Sequence, residues 1–270
     1  VRGGLSKPGL LFPKYGEECY DEEMSNPYES RRLVDEYLFF HYATFAEAAG
    51  TLPVPSEAWN FPRRVVAELL DASMPIGNAL DVGCAVGASS FELARSIPKV
   101  TGIDFSGAFI SAAEQLKNQG AIEATVAFEG KRVQKFTAQV PEEIDCTRVN
   151  FETGDAMNLR SDLGVFDVVF AANLICRLPE PLRFIERLAD LVKPGGQLLL
   201  ATPFSWLPEF TPEKNWLGGT EDAAPSYEVL ADLLRPAFSL EFTKDLAFLI
   251  REHSRKFQYG ISLGTRWRRH

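Results

Sequence analysis

From residue 78 onward the chain switches repeatedly between two hydrophobic periods. The short apolar runs "NALDVGC" (78–84), "KVTGIDFS" (99–106), "RVNFETGDA" (148–156), "FDVVFAANL" (166–174) and "GGQLLLATP" (195–203) predict strands. Between them, "ASSFELARSI" (88–97), "GAFISAAEQLKNQ" (107–119) and "EPLRFIERLADLVK" (180–193) place apolar residues three to four apart, the spacing of an amphipathic helix. Strand alternating with helix at this spacing predicts an α/β fold with a doubly wound, mostly parallel sheet. A last helix is expected over "SYEVLADLLRPA" (226–237), and "FSLEFTKD" (238–245) and "FQYGISLGTRW" (257–267) are expected to pair antiparallel at the sheet edge.

Two regions depart from the alternation. At about 121–148, "ATVAFEG" and "KRVQKFTAQV" alternate apolar and polar positions around Glu129 and Gly130, which predicts an inserted β-hairpin. Upstream, residues 26–30 form a turn signal. It opens a helix expected over about 29–48, with Leu33, Tyr37, Phe40 and His41 on one face, and a second helix is expected over about 62–72. With the Gly-, Pro- and acid-rich arm of residues 1–25, these helices make an N-terminal cap (1–75) on a main domain (76–270), the two forming one compact unit.

Composition narrows the chemistry. With 270 residues and 46% hydrophobic content the chain can bury a large core without disulfides. A formal charge of -9 argues against a nucleic-acid groove, which needs a basic surplus. Neither an apolar run of about 18 residues nor the apolar region of a signal peptide is seen, so a cytoplasmic location is expected. Val1 in place of an initiator Met suggests trimming. Cys19, Cys84, Cys146 and Cys176 stand singly, without metal-ligand spacing, and reduced thiols with no metal are expected.

The loop after the first strand reads Asp81-Val82-Gly83-Cys84-Ala85-Val86-Gly87. Glycines there let a ligand approach the backbone, and the following helix N-terminus offers free N–H groups. The dinucleotide fingerprint would place Gly where Ala85 stands, and Asp81 would repel a pyrophosphate, so a nicotinamide dehydrogenase is disfavoured. Asp104 and Asp155 end the next two strands, at the edge where ligands of such sheets bind.

These residues resemble the class I S-adenosylmethionine (SAM)-dependent methyltransferases over residues 78–203. The resemblance implies a Rossmann-like, mostly parallel seven-stranded sheet. It implies a SAM site built from the first loop (Asp81, Gly83, Cys84, Ala85, Gly87), from Asp104, Phe105 and Ser106 at the ribose, from Asp155, Ala156 and Met157 at the adenine, and from Asn173 and Leu174 at the reactive methyl. Ala at position 85 is tolerated if that backbone position does not require φ > 0.

Longer strings carry a closer likeness. "NPYESRRLVDEYLFFHYA", "ANLICRLPEP", "PFSWLPEFTPEKNWLGG" and "FLIREHSRKFQ" resemble the methyltransferase domain of ovothiol biosynthesis. That resemblance implies methyl transfer to the imidazole Nπ of 5-thiohistidine, giving ovothiol A, with a sulfoxide synthase as companion domain or partner. A zwitterionic thioimidazole needs a cation for its carboxylate, an acceptor for its ammonium, a donor for its thiolate and a partner for its ring N–H. Tyr28, Glu29, Tyr37 and His41 are candidates on a lid helix, with Tyr37, His41, Asn173 and Arg177 nearest the chemistry. Arg177 is the first candidate partner for the carboxylate or thiolate, and Arg251, Glu252 and His253 are the second set. The alternatives are a core histidine at 41, a solvated charge run at 251–255, a methyltransferase for another small amine or thiol, and a non-catalytic SAM-binding partner of a sulfoxide synthase.

Overall fold

The computed structural model describes residues 27–270; the arm expected at 1–25 lies outside the described residues. The cap begins with a 3-10 turn, Pro27–Glu29, and α1 (Arg31–Tyr42), started by the Ser30 side chain accepting from Leu33 N. The single helix expected to reach residue 48 is broken at 43–44. Thr44 forms a capping box with Glu47 and starts a separate short α2 (Phe45–Ala49). Helix α3 (Phe61–Leu69) completes the cap, with Pro62 in its first turn.

The main domain follows the predicted alternation: β1 (Ala79–Val82), α4 (Ala88–Ala94), β2 (Val100–Asp104) and α5 (Gly107–Gln119). The inserted hairpin is β3 (Ala121–Glu129) and β4 (Arg132–Gln139). Then come β5 (Val149–Thr153), β6 (Phe166–Ala172), α6 (Pro181–Leu191), β7 (Val192–Thr202), α7 (Ser226–Leu234), β8 (Phe238–His253) and β9 (Lys256–Arg269). The seven-stranded sheet has the order β5-β2-β1-β6-β7-β9-β8, and β3–β4 form a separate two-stranded sheet. The first five strands run parallel, and β9 is antiparallel to both β7 and β8.

Period-two alternation explains why so many strand residues are apolar. Val168, Phe170, Leu199 and Ala201 face the layer of α1, α3, α4, α5 and the inserted hairpin. Val169, Ala171, Leu198 and Leu200 face α6 and α7. Strand order reverses between β1 and β6, which opens a crevice at their C-terminal ends.

Two additions cover that crevice. The cap is fixed by the Tyr42 hydroxyl donating to Val86 O in the first loop (2.8 Å) and by Thr125 N of the inserted hairpin donating to Asp35 Oδ2 (3.2 Å). Strands β8 and β9 are longer than the sequence pattern predicts. Pairing of β9 with β7 stops at Thr202 opposite Leu263, while β8 and β9 pair on to His253 opposite Lys256. The overhang stands beside the crevice. A Cβ at Gly260 would sit 2.3 Å from the Phe248 ring, so glycine lets that ring lie against the β9 backbone where it stands.

Candidate functional site

A cavity of about 910 Å³ occupies the crevice. Its floor is the loop between β1 and α4, where Gly83 and Gly87 have φ of 76° and 88°. Gly83 is a cradle: a Cβ there would come within 3.0 Å of the Leu174 side chain and fill the space over the loop. Ala85 also has positive φ, 47°, contrary to the condition under which its methyl was expected to be harmless. The left-handed conformation costs an L-residue about 1–2 kcal/mol. Ala85 N donates to Asp104 Oδ2 at 2.9 Å, which helps hold it there.

Asp104 ends β2 at the cavity wall, and its second oxygen accepts from Ser106 N at 2.9 Å. Burial pushes its carboxyl up, against the two backbone hydrogen bonds that favour the anion. Each oxygen keeps a lone pair for a further donor, as a ribose diol would supply. Asp155 accepts from Met157 N at 2.9 Å, which shapes the short turn that sets Ala156 and Met157 on the wall. Asn173 has φ of 54°, and its Oδ1 accepts from Ser262 Oγ on β9 at 2.6 Å.

Several expected cofactor contacts stand behind the wall. Asp81 is fully buried and accepts from Ser89 Oγ (2.7 Å) and Ser90 Oγ (2.6 Å). It acts on the cavity through Ser89, which does line it. Burial raises the Asp81 carboxyl to about 6 despite those two donors. The Cys84 thiol is buried and pushed up by desolvation, so it is no nucleophile. Gly87 packs against Phe151, and Ser106 caps α5 and donates to Tyr28 O at 2.9 Å. These four shape the loop and do not line the cavity.

The lid residues divide in the same way. Tyr28, Tyr37, His41 and Arg177 all line the cavity. Tyr37 hydrogen-bonds to Tyr28, and burial pushes both phenols up. His41 is 8% exposed, its Nδ1 has no hydrogen-bond partner among the described residues, and burial lowers it to about 3. Glu29, expected beside the acceptor, instead accepts from Gly107 N (2.9 Å) and Ala108 N (3.1 Å), capping α5.

The second set is engaged elsewhere. Arg251 lies over the Phe39 ring and donates to Gln134 Oε1 (2.8 Å) and Ala127 O (3.2 Å), tying β8 to the inserted hairpin. Glu252 pairs with Lys256 and accepts from Gln258. His253 Nδ1 accepts from Arg255 N in the hairpin turn. All three are absent from the cavity lining, because the β8–β9 turn carries them past it to the cap. Conversely, the cavity recruits Glu209, Phe210, Phe248 and Tyr259, which the sequence reading did not single out. Their only signal was membership of the covering strings "PFSWLPEFTPEKNWLGG" and "FLIREHSRKFQ" and the run that follows.

A mostly parallel seven-stranded sheet with a glycine-bearing first loop and carboxylates ending successive strands defines the SAM-dependent methyltransferase class of fold. A methyltransferase domain family matches residues 56–237, and the chain belongs to that family. It is 29% identical over 125 residues to a ubiquinone biosynthesis O-methyltransferase of Coxiella burnetii, a match covering 46% of this chain and 43% of that protein. The enzyme of the same description from Xanthomonas campestris is 28% identical over 130 residues, covering 48% and 44%. The chain thus spans less than half the length of these curated relatives. A solved structure from a study of disulfide-to-thioacetal conversion in echinomycin biosynthesis superposes with a TM-score of 0.50 at 18% identity, covering 77% of this chain and 80% of that one, and shows the same fold. The Gly83 cradle, the Asp104 carboxylate and the Ala156–Met157 wall fit SAM.

Proposed function

We propose that the chain is an N-methyltransferase that methylates the imidazole Nπ of 5-thiohistidine, giving ovothiol A. The observation that carries this reading is the wall opposite the cofactor loop. It brings together a buried neutral imidazole (His41), two linked phenols (Tyr28 and Tyr37) and an arginine (Arg177) from separate parts of the chain. The likeness of the covering strings to the ovothiol methyltransferase domain supports it. Bound SAM supplies an electrophilic methyl on sulfur. Asp104 holds it at the ribose, Asp155, Ala156 and Met157 at the adenine, and Asn173 and Leu174 at the methionine end.

The remaining chemistry is positioning. Aligned reactants gain about 7–11 kcal/mol over free ones, so the protein mainly has to orient the acceptor nitrogen and exclude water. His41 at about 3 is a poor base toward an imidazolium near 6.5, so its role is to accept the acceptor's ring N–H as a neutral partner. Tyr37 donates to Tyr28, and the two linked phenols form a polar part of the wall that the acceptor would meet. In this role the chain follows a reaction that joins sulfur to histidine, the work of a sulfoxide synthase partner.

Purified protein with SAM and 5-thiohistidine, and plain histidine in parallel, tests the reading by mass spectrometry. A gain of one methyl with thiohistidine alone, mapped to Nπ by NMR, is expected. No gain would refute it and direct the search to another small amine or thiol acceptor.

A further inference from the structure

The cavity wall holds two opposite charges that do not neutralise each other. Arg177, after β6, is pinned by donating from Nη1 to Ser205 O (2.7 Å) and Cys176 O (2.9 Å), and from Nη2 to Ser205 Oγ (3.3 Å). Its guanidinium lies 5.2 Å from the Phe210 ring centre. Nε and one N–H of Nη2 make no hydrogen bond among the described residues, and these two groups form the side-on fork that accepts a carboxylate bidentately. No carboxylate lies within ion-pair distance of Arg177 among the described residues.

Glu209 is the neighbour of Phe210 in sequence and lines the same cavity, and it has no hydrogen bond or ion pair among the described residues. Its loop is fixed on both sides. Thr211 Oγ1 donates to Leu178 O at 2.7 Å, Phe210 N donates to Leu207 O at 3.0 Å, and the Phe210 ring lies 6.1 Å from that of Tyr28. Arg177 is held by its own hydrogen bonds, while the exposed Glu209 side chain extends from an anchored loop into the same cavity; opposite charges so placed, yet apart, match a ligand that carries both.

We infer that Arg177 and Glu209 grip the α-carboxylate and α-ammonium of a free amino acid, so the acceptor is a zwitterion and not a peptide-embedded, esterified or N-acylated side chain. This rests on the proposed function for the identity of the ring and goes beyond it in assigning the main-chain end of the acceptor and a specificity residue, Glu209.

The test uses the full chain loaded with S-adenosylhomocysteine, with L-thiohistidine, L-histidine, and the methyl ester and N-acetyl form of each as probes. Binding is read by calorimetry, and turnover by methyl transfer in a parallel SAM assay. The free amino acids are expected to bind at least ten-fold more tightly than the ester or the N-acetyl form. Glu209→Gln is expected to erase the penalty for N-acetylation, and Arg177→Gln the penalty for esterification. Both variants are expected to raise KM for thiohistidine more than they lower kcat, with the SAM dissociation constant within about two-fold of wild type. Equal binding of blocked and free forms by the wild type, no binding of any zwitterion, or a Glu209→Gln variant that still discriminates would overturn the inference. A loss of SAM affinity in Arg177→Gln would instead assign Arg177 to the cofactor and overturn its part. Zwitterion-selective binding without methyl transfer would refute the thiohistidine reading and leave the charge clamp standing; transfer without selectivity would do the reverse.

Discussion

The buried imidazole of His41 makes a prediction that needs no knowledge of the acceptor. Its ring packs against Tyr37, Phe40 and Tyr42, and burial lowers it to about 3. A second, smaller cavity beside it is lined by Arg63 and Glu92, which pair with each other and leave no net charge to hold an imidazolium. A histidine whose folded value is depressed contributes full stability above its unfolded value near 6.5, and loses it as pH falls and the unfolded chain takes up the proton first. Between pH 7 and pH 5 the loss is about 2 kcal/mol. That figure depends only on the unfolded value so long as the folded one stays well under 5. Asp81 works the other way: its carboxyl is raised to about 6, so the folded state gains on acidification over part of the same range. Comparing wild type with His41→Phe cancels Asp81 and any constant packing cost of the larger ring. Urea unfolding at pH 7, 6 and 5 is expected to show wild type losing about 2 kcal/mol more than the variant. Parallel profiles would refute the argument and mean that water reaches the ring and leaves it near its ordinary value.

Three further outcomes follow from the loop and the cap. Asp104→Asn removes a charged acceptor from the ribose end, and SAM affinity measured by calorimetry should fall about 10- to 100-fold; unchanged affinity would exclude Asp104 from that role. Ala85→Gly relieves a left-handed backbone at φ 47°, about 1–2 kcal/mol, but frees the unfolded chain by about 0.4–1 kcal/mol, so a net stabilisation between zero and about 1.5 kcal/mol is expected. A lower melting temperature would show that the Ala85 methyl packs usefully. Glu29→Ala removes the carboxylate that accepts from Gly107 N and Ala108 N while Ser106 still caps α5, at a cost of about 1 kcal/mol, and loosens the Tyr28 segment, so KM for the acceptor should rise more than the SAM dissociation constant; equal changes in both would separate Tyr28 from acceptor binding.

The floor of the cavity was legible because its signals are local. Gly83, Asp104 and Asp155, which line it, sit at strand ends, and the strand-helix alternation places strand ends without any long-range contact. The reading failed where a side chain had two possible partners. Glu29 and Asp81 are expected to face a ligand, but nearer donors claim each first: the free backbone N–H groups that start α5 for Glu29, and the Ser89 and Ser90 hydroxyls of α4 for Asp81. For Ala85, nothing in the sequence reports that Asp104 anchors its amide in the left-handed region.

The acceptor side was less legible because it is assembled from distant pieces whose relative placement depends on strand length beyond the sheet. Hydrophobic alternation over 238–245 and 257–267 identifies a hairpin but not an overhang, since paired residues outside the sheet follow the same period as those inside it. The overhang decides which residues face the cavity. Phe248 and Tyr259 reach it, and Arg251, Glu252 and His253 lie farther along. It also supports Asn173 on the cavity wall. Register between β7 and β9 places Ala201 opposite Gly264 and Thr202 opposite Leu263, and Ala201 O also accepts from Asn173 N at 2.7 Å. In that register Ser262, the next residue along β9, reaches Asn173 Oδ1. A slip of one residue would present Ile261 or Leu263 instead and reverse the face of every β9 side chain. The C-terminal hairpin, far from the first glycine-bearing loop in sequence, therefore helps fix Asn173 on the cavity wall.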